Sequence, residues 1–297
     1  MITIDPKKNP TALTHSHLLS GVAPRPIALA STIDRDGNPN LSPFSFYNVF
    51  SANPPIAIFS PARRVRDNTT KHTLENVKEI PEVVINAVNY DIVQQTSLSS
   101  TEYPKNINEF NKAGLTPLAS ELIKPFRVKE SPFQMECRVK EIIELGKEGG
   151  AGNLIVCEII LIHISKDVLD KNGKIDQNKI DLVARLGHNW YSRASGSSLF
   201  EVEKPLTSMG IGVDRMPERI RLSSILTGND LGILGNIENL PDETTVNEFK
   251  LMELSGLFIK HKDSPKILEQ ELHMLAKTYI LTNEVQNAWK TLLSFNG

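Results

Sequence analysis

Cysteine is nearly absent: two occur in 297 residues, Cys137 and Cys157, each inside an apolar, strand-like run, with no CxxC and no histidine at ligand spacing. This argues against a redox or metal role for them and predicts buried free thiols. A disulfide between them would be out of place in a reducing compartment. Charge of one sign is lacking too. A net charge of -2 with 23 % charged residues supplies no basic field for nucleic acid or an anionic membrane. No apolar run approaches the roughly 20 residues needed to span a bilayer. The N-terminus, M-I-T-I-D-P-K-K-N-P, has no apolar stretch of the kind a signal peptide needs, so the expected setting is the cytoplasm. G-x-G-x-x-G, G-x-x-x-x-G-K-[ST], G-x-S-x-G and H-E-x-x-H are all missing. Their absence argues against a Rossmann half, a P-loop and the common hydrolase triads.

What is present gathers first in Arg25–Asn48, R-P-I-A-L-A-S-T-I-D-R-D-G-N-P-N-L-S-P-F-S-F-Y-N. Ile27–Ile33 reads as a strand, and Asp36-Gly37, in a run dense with turn residues, suits a tight hairpin. The chain then runs through Ser42, Phe44, Ser45, Phe46, Tyr47 and Asn48. Those hydroxyls, rings and amide suit either a flat polar ligand or the filling of a core. Pro24 and Pro26 hold Arg25 in an extended frame, so its guanidinium is presented from stiff backbone.

The stretch A-R-R-V-R-D-N-T-T-K-H-T-L-E-N-V sets Arg63, Arg64, Arg66 and Lys71 among Thr69, Thr70 and Thr73, ahead of a short helix expected over Thr73–Ile80 with its cap near Thr73. Cations, hydroxyls and helix-terminal amides together suit a phosphate, although a solvated surface loop would have the same composition. Val83–Val88 reads as a strand carrying Asn86, an amide that needs a buried partner. Asp91–Ser100 and Ile107–Ala113 read as helical, joined through Tyr103 and Pro104.

Phe133–Ile143 and Leu154–Ile164 are strand patterns that pair as a hairpin across the Gly-rich turn Gly146–Asn153. Glu158 and His163 interrupt the second and are expected to be paired or edge-facing. Arg185, His188, Trp190, Tyr191 and Arg193 cluster shortly after, a mixture that fits a ligand edge or a subunit interface better than an apolar core. From about Pro205 the character changes. The chain is rich in Gly, Pro and Asn to Asp242, and Glu243–Asn296 then carries apolar residues at helical spacing. The domain reading is 1–205 for the main body and 206–297 for a loop and helical extension, whose apolar stripes should bury against their own protein.

These segments together resemble the flavin reductase-like family built on the FMN-binding split β-barrel. The resemblance covers about residues 15 to 205 and rests on P-R-P-I-A-L-A-S-T with D-R-D-G-N-P-N-L-S-P-F-S-F-Y-N, on S-A-N-P-P, on K-H-T-L-E-N and on V-A-R-L-G-H-N-W-Y. K-H-T departs at His72 from the K-D-T common in the family, which leaves a role for His72 open. The resemblance implies a mainly β fold, a homodimer of six-stranded Greek-key barrels with peripheral helices, and FMN held between subunits. By that implication Arg25, Ser31, Thr32, Ser45, Phe46, Tyr47 and Asn48 lie along the ring and ribityl chain. Ser60, Lys71 and Thr73 reach the ribityl and phosphate end, with Arg66 behind Lys71.

The function implied is an NAD(P)H-dependent FMN reductase that hands reduced flavin or electrons to a partner oxygenase or another acceptor. NAD(P)H is the implied co-substrate, with Arg185, His188 and Trp190 as its candidate site and dimer packing as the alternative role for that cluster. An FMN-binding electron carrier that never meets a nicotinamide is the other reading, with oxidation of a bound small molecule a third. No general base is required of the protein, since hydride chemistry belongs to the cofactor.

Overall fold

A computed structural model describes residues 1–206 and 209–295. The chain divides into two compact units, Met1–Phe200 and Glu201–Gly297. In the first, helices α1 (Thr11–Gly21), α2 (His72–Glu79), α3 (Val93–Ser99), α4 (Glu109–Ala113) and α5 (Gln177–Ile180) accompany eleven strands. These are β1 (Ala28–Ile33), β2 (Pro39–Phe44), β3 (Tyr47–Ala52), β4 (Pro55–Phe59), β5 (Glu82–Ala87), β6 (Pro117–Leu118), β7 (Arg127–Val128), β8 (Phe133–Glu144), β9 (Asn153–Ile164), β10 (Val183–Arg185) and β11 (Tyr191–Arg193).

The expected hairpin forms, with Ile33 opposite Pro39. Gly37 takes the positive φ of 83° that the turn requires. Asp34 closes the turn by accepting from the amides of Asp36 at 3.0 Å and Asn38 at 2.9 Å. Beyond it the sheet departs from the expected six-stranded Greek-key split barrel in its strand count. Among the described residues seven strands form one antiparallel sheet in the order β2-β1-β5-β8-β9-β4-β3, and no ladder joins its edges β2 and β3. The extra strand is β3. Its polar and aromatic residues do not alternate with apolar ones, because most of them are exposed and none is fully buried.

The sheet nonetheless curls on itself. Strand alternation sends Ala28, Ala30, Val83, Ile85, Cys137, Ile155 and Cys157 to one shared core, where Phe44 of β2 meets Phe59 of β4 with ring centroids 5.3 Å apart. The outer face packs Leu29, Leu41 and Val128 against Ile92 and Phe110 beside α3 and α4. Both thiols are free and fully buried in the inner core, as expected, and burial raises their pKa. Asn86 finds its partners on that frame, donating to the Leu29 carbonyl and accepting from the Val128 amide, both at 2.9 Å.

The second unit is helical. The segment expected to be a loop contains α6 (Glu218–Arg221) and α7 (Gly228–Leu234), the latter started by a reciprocal Thr227–Asp230 capping box. They are followed by α8 (Glu243–Phe249), α9 (Ser255–Lys260), α10 (Pro265–Leu281) and α11 (Val285–Leu293). Trp289 is fully buried in this unit's core and donates to the Leu234 carbonyl at 3.0 Å. Asn296, at the end of the expected helical tract, lies outside the described residues. No helix among those described is long and apolar enough to cross a membrane.

Candidate functional site

The start of α2 is where the expected phosphate residues meet. The helix begins at His72, one residue earlier than its sequence pattern suggests, and Lys71 occupies the N-cap in extended backbone with no side-chain cap. Thr73 therefore sits inside the first turn, buried, instead of capping it. Asn40 of β2 donates to Thr73 Oγ1 at 3.0 Å and to Thr32 Oγ1 at 3.3 Å, and Asn76 of α2 donates to the same Thr32 oxygen at 3.1 Å. This polar link pins the helix start to the hairpin.

The three arginines before Lys71 are already engaged. Arg63 donates to Asn68 through Nε at 2.6 Å and Nη2 at 2.7 Å. Arg64 holds Glu102 at 3.0 Å, Thr69 Oγ1 at 2.6 Å and the Thr70 carbonyl at 2.7 Å. Arg66, exposed, is bonded to Asp67 and Glu102, and both raise its pKa. Lys71 differs from all three. It is half-buried, and no hydrogen bond or ion pair among the described residues reaches its Nζ. Burial first, and the nearby Arg64 charge second, lower its pKa from the ordinary lysine value. The Glu102 charge pulls the other way without a direct contact, and a cation with no direct partner is a ready place for an anion.

Lys71, His72, Thr73, Asn40 and Glu109 line a small cavity of about 20 Å³, room for about one water molecule. Glu109 is buried there, accepting from the Leu41 amide at 3.1 Å, and its burial pushes the carboxyl pKa up. The Gly-rich turn between β8 and β9 docks on the cationic loop through Arg63 N to Ala151 O at 2.8 Å and Gly150 N to Arg63 O at 2.9 Å. A Cβ on Gly149 would stand 3.0 Å from the carbonyls of both Arg64 and Val65, so a larger residue there would press on both. The same turn covers Ser60, whose Oγ is buried without a partner.

The ring-side residues do not form one wall. Ser31 and Thr32 are successive residues of β1 and point to opposite faces. Thr32 is held in the polar link to α2, whereas Ser31 Oγ is buried without a partner. Ser45 accepts from Arg25 Nε at 3.3 Å. Arg25 also donates to the carbonyls of Leu19, Val22 and Leu186, which makes it a buried clamp between α1, β1 and the β10–β11 turn. Phe46 is partly exposed, its carbonyl accepting from the Ser60 amide at 2.8 Å. Tyr47 packs against the inner core, and burial pushes its hydroxyl pKa up. Asn48 is exposed on the edge strand, accepting from the Val49 amide at 2.8 Å.

Of the cluster near residue 188, Arg185 lines a separate cavity of about 340 Å³ together with Tyr90, Val93, Tyr191 and Arg193. His188 and Trp190 are on the turn outside its lining, Trp190 being 73 % exposed. Arg185 lies over the Tyr191 ring at 4.6 Å and Arg193 over Tyr90 at 3.8 Å. Glu158 is paired with Lys140 at 3.1 Å and His163 with the buried Glu136 at 2.8 Å, as expected of them. Asn40, Asn76 and Glu109 are the site residues that the sequence reading did not single out. Asn40 is hidden in a run of turn residues, and Glu109 has no local signal at all.

Known proteins resemble this chain over most of its first unit. Residues 20–179 match the family model for the flavin reductase like domain. An uncharacterized protein of Aquifex aeolicus is 36 % identical over 185 residues, covering 62 % of this chain and 92 % of that protein. Among solved structures, nitrilotriacetate monooxygenase component B from Bacillus cereus superposes with a TM-score of 0.63 at 27 % identity, covering 68 % of this chain and 98 % of that one. A Shewanella frigidimarina protein assigned as a flavin reductase with split barrel domain gives 0.58 at 27 % identity, covering 69 % and 100 %.

Proposed function

Because the chain belongs to the flavin reductase-like family, we propose that it binds FMN and works as an NAD(P)H-dependent flavin oxidoreductase in the cytoplasm, passing reduced flavin or electrons to an acceptor. The observation that carries the reading is Lys71, half-buried at the start of α2 and unpaired beside three arginines that all have partners. The residues present fit the cofactor's polar parts. Lys71 offers charge for a phosphate that carries nearly two negative charges. Ser31 Oγ and Ser60 Oγ are buried hydroxyls without partners, a condition that a ligand's hydroxyl or carbonyl group relieves. The cavity beneath Lys71 is too small for a phosphate, so the tail meets Lys71 on its open side.

Bound FMN would supply electron acceptance and donation. The chain's own residues do the rest. Lys71 fixes the phosphate, the Asn40–Thr32–Asn76–Thr73 link holds the helix start that presents Lys71, and the turn over Ser60 restricts water. Arg185, in the 340 Å³ cavity, offers a cation to a nicotinamide dinucleotide, whereas Arg193 beside it is held by Asp181, to which its Nε donates at 2.7 Å. His188 and Trp190 flank them on the turn.

The Bacillus cereus structure is by name a monooxygenase component, which supports a partner oxygenase as the acceptor here. We propose a homodimer as well, supported by edge strand β3, where Val49 is 52 % and Phe50 65 % exposed. Titration with FMN, followed by flavin fluorescence, tests the binding. Saturable quenching supports the reading, and its absence removes it.

A further inference from the structure

The second unit lies beyond the matched family region, and it has a cavity of its own, about 510 Å³. Arg219 of α6, Leu222, Ser223 and Ile225 from the following turn, and Glu269 and His273 of α10 line it. Ser223 Oγ accepts from the amides of Ile225 and Leu226, both at 3.1 Å, and lies 2.7 Å from His273 Nδ1. With both lone pairs of the hydroxyl taken, its single proton goes to Nδ1, so the neutral imidazole carries its own hydrogen on Nε2. A serine bound in this way is no nucleophile. Its oxygen is occupied, and Nδ1 accepts the hydroxyl proton only as a fixed hydrogen bond.

His273 is 5 % exposed and its Nε2 has no partner; Arg219 Nη1 is buried and has none either. Burial first, then the Arg219 charge, keep the His273 pKa below the ordinary histidine value against the opposing pull of Glu269, so the ring is a neutral donor near pH 7. Two buried donors without an acceptor, on residues that line one cavity, are an exception to how interiors are built. The remaining wall carries the apolar surface of Leu222 and Ile225 together with the charged side chains of Glu218, Lys266 and Glu269, and the cavity has the size of small-molecule sites.

We propose that this unit binds a small organic acid, its carboxylate accepting from Arg219 and from the Nε2–H of His273 while its apolar body lies against Leu222 and Ile225. A guanidinium and a neutral N–H suit the planar, doubly accepting carboxylate. Ser223 is a positioning residue that sets the tautomer. The proposal is independent of flavin binding.

Isothermal calorimetry on the full chain, saturated with FMN and titrated with sodium benzoate as the probe, tests it. One saturable event per chain is expected. Arg219→Gln and His273→Gln should each weaken it about tenfold or more, and Ser223→Ala should weaken it while shifting the imidazole ¹⁵N signals away from a single Nε2–H tautomer. Leu222→Trp, at a largely exposed position that disturbs neither donor, should fill the cavity and abolish binding. It keeps the test decisive if the buried substitutions fail to fold. FMN affinity should stay unchanged throughout. No saturable heat, or benzoate binding that survives Leu222→Trp, would overturn the proposal, and so would inorganic phosphate binding where benzoate does not.

Discussion

Lys71 should dominate the affinity for FMN, because it is the cation of its loop without a partner. Lys71→Ala is expected to weaken FMN binding about tenfold or more, from roughly 1.5 to 3 kcal/mol for a charge-assisted contact. Arg66→Ala should change it less than about threefold, since Arg66 is exposed and already paired with Asp67 and Glu102. Fluorescence titration of both variants separates them. Affinity should also fall on the alkaline side at a lower pH than an ordinary lysine would give, because Lys71 loses its proton early, and Lys71→Arg should remove that fall. Glu109 makes the opposite case. Its raised pKa means the folded state holds a proton the unfolded chain has lost, so this group's contribution to stability falls as pH rises from the ordinary carboxyl range through the raised value. Glu109→Gln keeps an acceptor for the Leu41 amide without the buried charge. It should melt higher than the native protein at pH 7, with the gap closing near pH 4 in thermal melts. That Lys71 and Thr73 stand together at the start of a helix is legible in sequence, because they share a short motif. The engagement of the neighbouring arginines was not, since their partners, Asn68, Thr69 and above all Glu102, are chosen by the fold.

At the scale of elements, the hairpin β1–β2 and the long hairpin β8–β9 announce themselves by turn chemistry and alternation, and both form where expected. Strand β3 does not. Its apolar residues are exposed, so no alternation marks it, and the seventh strand can be found only through its pairing with β4. The start of α2 was displaced by one residue for a related reason. Thr73 has the chemistry of a cap, but Asn40 reaches it from another element and draws it into the first turn. The docking of the Gly-rich turn on the cationic loop is likewise tertiary. Gly149→Ala pushes a Cβ against two backbone carbonyls that cannot rotate away, so it should lower both the melting temperature and FMN affinity. A variant unchanged in both would show that this turn does not shape the site. Val49→Asp with Phe50→Asp on β3 should give a monomer in sedimentation velocity if the edge strand is the dimer contact.

For the whole molecule, the chain divides after Phe200, and the change of character in the sequence begins near Pro205. The helical spacing after Glu243 was visible, whereas α6 and α7 lay hidden among Gly, Pro and Asn. Each unit has its own apolar core, so residues 1–200 expressed alone should unfold cooperatively in denaturant. A molten, non-cooperative fragment would show that the second unit is needed for folding. The central claim concerns the reaction, and its most direct test is anaerobic stopped-flow mixing of the FMN-loaded protein with NADH and, separately, with NADPH, followed at the flavin absorbance. Bleaching within seconds with at least one of them is the predicted result; a yellow protein that bleaches with neither would contradict the reductase reading and point to a flavin carrier.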